Sequence, residues 1–570
     1  MSRTMEGESP MQATFLPACL DDVIEKEYPI RFIAVFVDSL DLKELCFTRA
    51  VPACTGRPPY SPQTFIKLYL YGHLNRIRSS RMLERECRRN VELWWLLDKL
   101  CPDHNTIAIF RAMNRKALLK VFKLFVRMCV EMGLCGKKRV CVDGTTIKAV
   151  NGMDAATSME LSRKKLDYAR RELEIVEQYL KGLDEHDKVD QGSLSKPFAL
   201  DIDPNNLPNP EELRRRIDFH ERCIAEMEEK NETQLTFTDP EARMMPSKRG
   251  GLKVCYNVQT ATDPESHMIT GLSVTNHAND TGLLHEVTEE AKKNLGVEAI
   301  CATADKGYES GEDIEKCLMD GTMPDVGFRY DREERVFNLD YIPQEITEEM
   351  RASCKAADIQ ACLHAGVMPD CYTGTNFRIE LQHLGVESCF IRHADSTVTC
   401  PMGKELFFQA DKKNGKVYGS KEACRCCPHR CTDGKTFKTV KFGPETHYVP
   451  VRMYGSAQYP LQQIPDIKQP NRYHAYGRVK RAPARVMLFI RRDKEKQCER
   501  MQTSEHPFGT IKFYDGAHYF LCKGKEKVAA EMALSYLSYN IRRAISLASG
   551  VQKLITLFKA KIHQGIPMPI

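Results

Sequence analysis

The sequence predicts an α/β protein, and three observations carry the prediction. Between residues 137 and 325, short β-branched runs alternate with charged, periodic helical segments. Two of those runs, "KRVCVDG" and "VEAICATAD", lead into an aspartate. Amphipathic helical blocks flank the region on both sides.

The chain has 570 residues, 42% hydrophobic and 28% charged, so two to four structural units with a buried core are expected. It has no run of 18 apolar residues, so no membrane span is expected. The first twenty residues lack a basic start followed by an apolar stretch, which argues against a signal peptide. The 23 cysteines are scattered, mostly in apolar runs. That pattern fits reduced, buried thiols and a cytoplasmic setting.

Residues 20 to 135 read as helices. Ser61-Pro62 is a helix start, followed by Phe65, Leu68, Tyr69, Gly72 and Leu74 three and four apart. Trp94 and Trp95 read as core anchors. The net charge of +6 is modest, but Arg57 to Arg127 holds about 15 Lys/Arg against about 5 Asp/Glu. Short helices with arginines in their turns suggest a helix-turn-helix-like DNA-binding region over 1–136, with Arg76, Arg78, Arg81, Arg88 and Arg89 as its contacts. A second basic stretch, 468–496, interleaves Tyr473, His474 and Tyr476 with arginines and lysines, so bases could stack there.

Residues 137–150 read as a strand with Asp143 near its end. The segments 158–190 and 209–230 are charged helices, expected to form a projecting hairpin within 158–236. "LKVCYNVQTATD" and "HMITGLSVTN" flank a turn at Asp263-Pro264-Glu265-Ser266, a β-hairpin signal. A helix follows, then a buried strand ending in Asp305, then another helix. Residues 326–490 show little periodicity and many cysteines. The chain closes in one or two strong amphipathic helices.

Asp143 and Asp305 at the ends of neighbouring strands could share divalent metal. A two-metal site for phosphodiester cleavage needs a third acidic ligand, and Glu505 in "SEHPFGTIK" is the candidate. Lys512, seven residues on, could hold a phosphate as a point charge. Pro507-Phe508-Gly509 between them suggests a local distortion aiming both side chains at one spot. Cys424, Cys427 and Cys431 have C-x2-C-x3-C spacing. With Cys400 they could hold a structural Zn²⁺, Cys426 being an alternate ligand.

The segments "VCVDGTTIKA", "TDPEARMM", "YNVQTATD", "ATADKGYES", "SEHPFGTIK" and "ALSYLSYNIRR" occur in this order. With "GRPPYSPQTFIKLYLYGHLNRIRSSRMLERECRRNVELWWL" they resemble bacterial insertion-sequence transposases of the DDE class, most nearly the group numbered eleven eighty-two. The resemblance implies a ribonuclease-H-like core in two parts, 137–325 and 486–570. Between them lies a cysteine-rich, zinc-binding insertion over 326–485. It implies Asp143, Asp305 and Glu505 as ligands of two Mg²⁺ or Mn²⁺ ions. Glu505 and Lys512 match the family's Tyr-Arg-Glu-Lys signature. The arginine is expected at Met501, and Arg500 is one position off; Cys498 stands where the tyrosine is expected.

The implied activity is binding of inverted-repeat DNA ends, cleavage there and joining of the 3′ ends to target DNA. The protein would act as a homodimer on double-stranded DNA, associated with the nucleoid. The alternatives are a catalytically inactive DNA-binding descendant and a ribonuclease-H-like nuclease acting on another nucleic acid.

Overall fold

The computed structural model describes residues 19–51, 58–187, 208–246, 251–328, 334–342, 344–372, 376–383, 390–392, 397–400, 402–413, 415–427, 437–442 and 483–563. Six helices open the chain: α1 (Pro29–Asp38), α2 (Pro62–Leu74), α3 (Ser80–Arg89), α4 (Val91–Leu96), α5 (His104–Met113) and α6 (Arg115–Glu131). The Ser-Pro signal does what its chemistry predicts. Ser61 Oγ accepts from the Gln63 amide at 3.3 Å, and Pro62 takes the first helical position, where no donor is needed. Asp103 caps α5 by accepting from the Asn105 and Thr106 amides. Trp94 and Trp95 sit half-buried on α4.

The central sheet follows. Its strands are β1 (Arg139–Lys148), β4 (Arg243–Pro246), β5 (Leu252–Thr262), β6 (Ile269–Thr275), β7 (Ile300–Ala304) and β8 (Thr322–Val326). The order is β4-β5-β1-β7-β8, with β6 also paired to β5. β1 runs antiparallel to β5 and parallel to β7, and β7 runs parallel to β8. The expected β5–β6 hairpin is present. Helix α9 (Leu284–Leu295) leads into β7, and α10 (Gly311–Met319) joins β7 to β8. These crossovers keep the last two strands parallel to β1.

Between β1 and β4 a helical hairpin projects. Its foot is the pair β2 (Ala156–Ser158) and β3 (Gln234–Thr236). Its arms are α7 (Met159–Asp187) and α8 (Pro210–Glu229), which share a thin core of Ala169, Val176 and Leu213. Ion pairs Arg170–Glu221 and Arg214–Glu177 link the arms outside that core.

Residues 326–490 carry more order than their weak periodicity predicts. β9 (Glu334–Asp340), β10 (Phe377–His383) and β16 (Pro483–Arg491) form one sheet in the order β10-β16-β9. Helices α11 (Glu348–Ala352) and α12 (Ala356–His364) lie between β9 and β10. A second sheet, in sequential order, is built of β11 (Ile391–Arg392), β12 (Val398–Thr399), β13 (Glu405–Lys412), β14 (Gly415–Gly419) and β15 (Thr439–Phe442), with α13 (Lys421–Arg425) after β14. β13 is exposed at six consecutive positions, so no alternation of apolar residues marks it.

The chain returns through α14 (Lys494–Gly509), α15 (Lys525–Leu547) and α16 (Val551–His563). α15 packs against α6, α2 and β6, and α16 against α1. Phe36 meets Phe125 edge-on at 5.2 Å and Phe558 at 6.0 Å, so the first and last helices share aromatic contacts. One continuous apolar cluster runs from Ile24 through the sheet to Phe558. The N-terminal helices therefore pack directly on the element that follows the candidate site. Among the described residues, no helix is long and apolar enough to cross a membrane.

Candidate active site on the central sheet

β1 differs from its sequence reading in one respect. Asp143 stands in the middle of the strand, which continues to Lys148. The β-branched "TTI" after Asp143-Gly144 sustains the extended chain. Its partner fits the prediction. β1 and β7 are in parallel register as far as Val142 and Ala304, so Asp143 and Asp305 are the next residues on adjacent strands. Asp305 leaves the sheet there and caps a short 3-10 turn, Lys306–Tyr308. One oxygen of each aspartate is held by backbone: Asp143 Oδ1 accepts from the Gly144 amide at 2.8 Å, and Asp305 Oδ1 from the Gly307 amide at 2.7 Å.

Helix α14 crosses this edge and packs on β1 and β7. Its buried residues, Arg500, Thr503, Ser504 and Pro507, follow a helical three-four spacing. The Gln497 side-chain amide donates to the Ala304 and Asp325 carbonyls, which ties the helix to the ends of β7 and β8. Arg139 pairs with Glu499 at 2.7 Å.

The segment "EHPFG" does not interrupt the helix. α14 runs through Pro507 and Gly509, and regularity is lost only at 510–514, a π-helical turn. Pro507 has no N–H for the Thr503 carbonyl. The π turn then brings the Lys512 ammonium to β1, where it donates to Thr145 Oγ1 and, at 2.9 Å, to the Thr146 carbonyl. Glu505 lies between these anchors, on the exposed side of α14. No hydrogen bond joins it to Asp143 or Asp305.

Two residues expected to meet DNA are engaged by the protein itself. Arg500 is buried and donates to Asp143 Oδ2 at 3.2 Å. Arg78 is only 9% exposed and donates to the Gly516 and Tyr519 carbonyls and to Glu531. A basic cluster in sequence does not say which arginine faces inward. Arg81, Arg88 and Arg89 are on the surface, the last two paired with Glu84 and Glu86 of their own helix. Exposed Arg76 stacks over the Tyr514 ring at 3.5 Å. The 468–482 part of the second basic stretch lies outside the described residues.

A further carboxylate, which the sequence reading missed, lies beside the pair. Asp280 Oδ1 accepts from Asn257 Nδ2 at 2.8 Å and from Gln259 Nε2 at 2.6 Å. Tyr308, fully buried, donates to Gln259 Oε1, which fixes the amide's orientation. A Cβ at Gly144 would strike Asp280, so the "DG" of β1 makes room for it. A Cβ at Gly307 would stand 2.8 Å from an Asp305 oxygen and 3.7 Å from an Asp280 oxygen. Burial, followed by the charges of Asp280, Asp143 and Asp305, pushes the Tyr308 hydroxyl well above its ordinary range, so it remains a donor. The signal for Asp280 was present in β5: Asn257 and Gln259 alternate on a buried strand, and buried amides require partners.

The carboxylates are hard oxygen donors suited to Mg²⁺ or Mn²⁺. Among the described residues, three metal-ligating side chains with all ligand atoms within 4.8 Å of one another occur only at His285, Glu289 and Asp320. Asp143, Asp305 and Glu505 are not that close together. Cys400 sits in a tight turn closed by Gly403 and Lys404, and Cys424 lies on α13. Cys400, Cys424 and Cys427 are half-buried, and Cys431 lies outside the described residues.

No curated protein matches this chain. Residues 18–113, which hold α1 to α5, match a transposase domain family (DUF772), and that match supports a transposase.

Proposed function

We propose that this protein is a DNA transposase of the DDE class, with Asp143, Asp305 and Glu505 as its acidic triad. One observation carries the reading most: Asp143 and Asp305 stand side by side on parallel strands, beneath the helix that bears Glu505. The mixed sheet, with an antiparallel hairpin on one side of β1 and two parallel strands on the other, supports a ribonuclease-H-like core. The transposase-domain match over 18–113 supports the N-terminal helices as the part that binds element ends.

Asp143, Asp305 and Glu505 would hold Mg²⁺ or Mn²⁺, which would supply water activation and stabilisation of the leaving oxygen. The chain's own residues prepare the place. Backbone amides orient one oxygen each of Asp143 and Asp305. Arg500 balances the charge of Asp143. Lys512, held at Thr145 and Thr146, is the cation offered to a strand phosphate. The same chemistry, repeated with a freed 3′-hydroxyl as the attacking group, joins ends to target DNA, and processing two ends together calls for a dimer. A structural Zn²⁺ on Cys400, Cys424, Cys427 and Cys431 belongs to the same reading.

The test uses duplexes carrying the inverted repeats that flank the gene, with Mg²⁺ and a target plasmid. The expected result is cleavage and strand joining by wild type, and end binding without cleavage by Asp143→Asn. Cleavage that survives Asp143→Asn would refute the triad. Wild type that binds ends but never cuts them would favour the catalytically inactive descendant, a reading that Cys498 and Met501 at the signature positions also favour.

A further inference from the structure

Past Lys512, the segment joining α14 to α15 presents three aromatic rings to solvent. Phe513 is 72% exposed, Tyr514 55% and Tyr519 42%. Rings of this size are normally covered, and three within seven residues form a patch that calls for an occupant. The segment is not a loose loop. Ile511, Asp515, Ala517 and Phe520 between and beside the rings are buried. The Lys148 amide donates to the His518 carbonyl, and the Phe520 amide to the Lys148 carbonyl, so Tyr519 is fastened alongside the last residue of β1. Burial of the alternate residues holds the rings outward.

Cations surround the rings. The Arg76 guanidinium lies 3.5 Å from the Tyr514 centroid, and Arg542 approaches the same ring at 5.7 Å. Arg76 has a left-handed backbone, φ 62°, in the turn between α2 and α3, so the matched domain reaches the patch through this residue. Lys148, Lys523, Lys525 and Lys527 are exposed nearby along the chain. The exposed acid among them, Glu526, is paired with Arg115. Aromatic faces interleaved with cations suit an anionic strand with π-faced bases. An acidic peptide would meet the cations but leave the ring faces without stacking partners, and an apolar surface would leave the cations unpaired.

We propose that Phe513, Tyr514 and Tyr519, with Arg76 stacked on Tyr514, form a platform on which unpaired bases of a DNA strand stack. The inference rests on the DNA-processing reading above and adds what it leaves open: which part of the strand the chain holds beside the acidic site. Asp143 and Lys148 are five residues apart on one extended strand, roughly 17 Å. A strand engaged at Asp143 therefore reaches the platform within a few nucleotides.

Phe513→Ala tests this, because so exposed a side chain contributes little to folding. Binding is measured by fluorescence anisotropy without divalent metal, so that no chemistry intervenes. The probes are an intact duplex, the same duplex with a short single-stranded overhang, and the single strand alone. The expected result is a loss of between roughly 5- and 100-fold for the two probes with unpaired bases, the scale of one lost base–aromatic stack. Duplex affinity stays unchanged, and Phe513→Trp keeps all three affinities. Equal loss on all probes, or no loss on any, overturns the platform while leaving DNA binding intact. A change in sedimentation of Phe513→Ala also overturns it, by assigning the patch to a second copy of the chain. Wild type that binds none of the three probes overturns the DNA-processing reading itself.

Discussion

Asp143 and Arg500, 357 residues apart in sequence, meet at 3.2 Å beneath helix α14. The side chains are 25% and 11% exposed, so the pair is shielded from bulk water without being sealed from it. An arginine there offsets part of the negative charge that Asp143, Asp305 and Asp280 gather around Tyr308.

Arg500→Ala is expected to lower stability by about 1–3 kcal/mol, less than for a fully buried pair because Asp143 keeps some solvent. It is also expected to make the protein more responsive to Mg²⁺. On the proposed two-metal reading, a divalent ion in wild type would compete with the guanidinium for Asp143, and in the variant it would not. Thermal melting with and without Mg²⁺ measures both effects. Equal Mg²⁺ shifts in the two proteins would show that Arg500 and the metal do not share Asp143.

That Asp143 and Asp305 belong to strands of one α/β sheet was legible because each follows a short β-branched run. That β1 and β7 pair in parallel was not, because a helical hairpin and three antiparallel strands lie between them in sequence. The β5–β6 hairpin and the helical hairpin were legible for similar local reasons. Asp280 was not, because it sits in a polar loop and is defined by amides twenty residues upstream. The inward turn of Arg78 was not legible, because it rests on Glu531, 453 residues away. Pro507 looked like a distortion because proline removes one helical hydrogen bond, yet the packed helix carries through it and regularity is lost only at the following π turn. The strands of 326–490 were hidden by the exposure of β13 and by partners far off in sequence, as β9 is from β16.

Asp325 on β8 gives the fold a pH signature. Burial raises its carboxyl to about 6, outweighing the Asn376 amide that donates to it at 3.2 Å. The folded value lies above the unfolded one, so the native state holds this proton more tightly. Its stabilising contribution is complete below about pH 4 and is lost as pH rises through 6, a change of about 3 kcal/mol. Asp325→Asn stays neutral and escapes the loss. The melting temperature of the variant minus that of wild type should therefore climb between pH 4 and 6 and level off above. Parallel melting curves across that range would show that Asp325 is not protonated in the native state.

Lys512 separates a structural role from a functional one most cleanly. Its ammonium donates to the Thr146 carbonyl and the Thr145 hydroxyl, three and two residues along β1 from Asp143. Those bonds pin the π turn to the sheet, so Lys512→Ala is expected to cost about 1–3 kcal/mol of stability, the scale of hydrogen bonds made by a charged donor. A purely structural lysine would do no more than this. Beside a strand that carries the candidate site, the same charge is also placed to neutralise a phosphate. Each phosphate neutralised releases condensed counterions and contributes about 0.9 to the slope of log affinity against log salt. Lys512→Ala should therefore flatten that slope by about one, and Lys512→Arg, which keeps the charge, should restore it. The measurement is end-DNA affinity at several salt concentrations for wild type and both variants, beside thermal melting. A lowered melting temperature with an unchanged slope would leave Lys512 as a clamp on β1 and remove it from the DNA-contacting set.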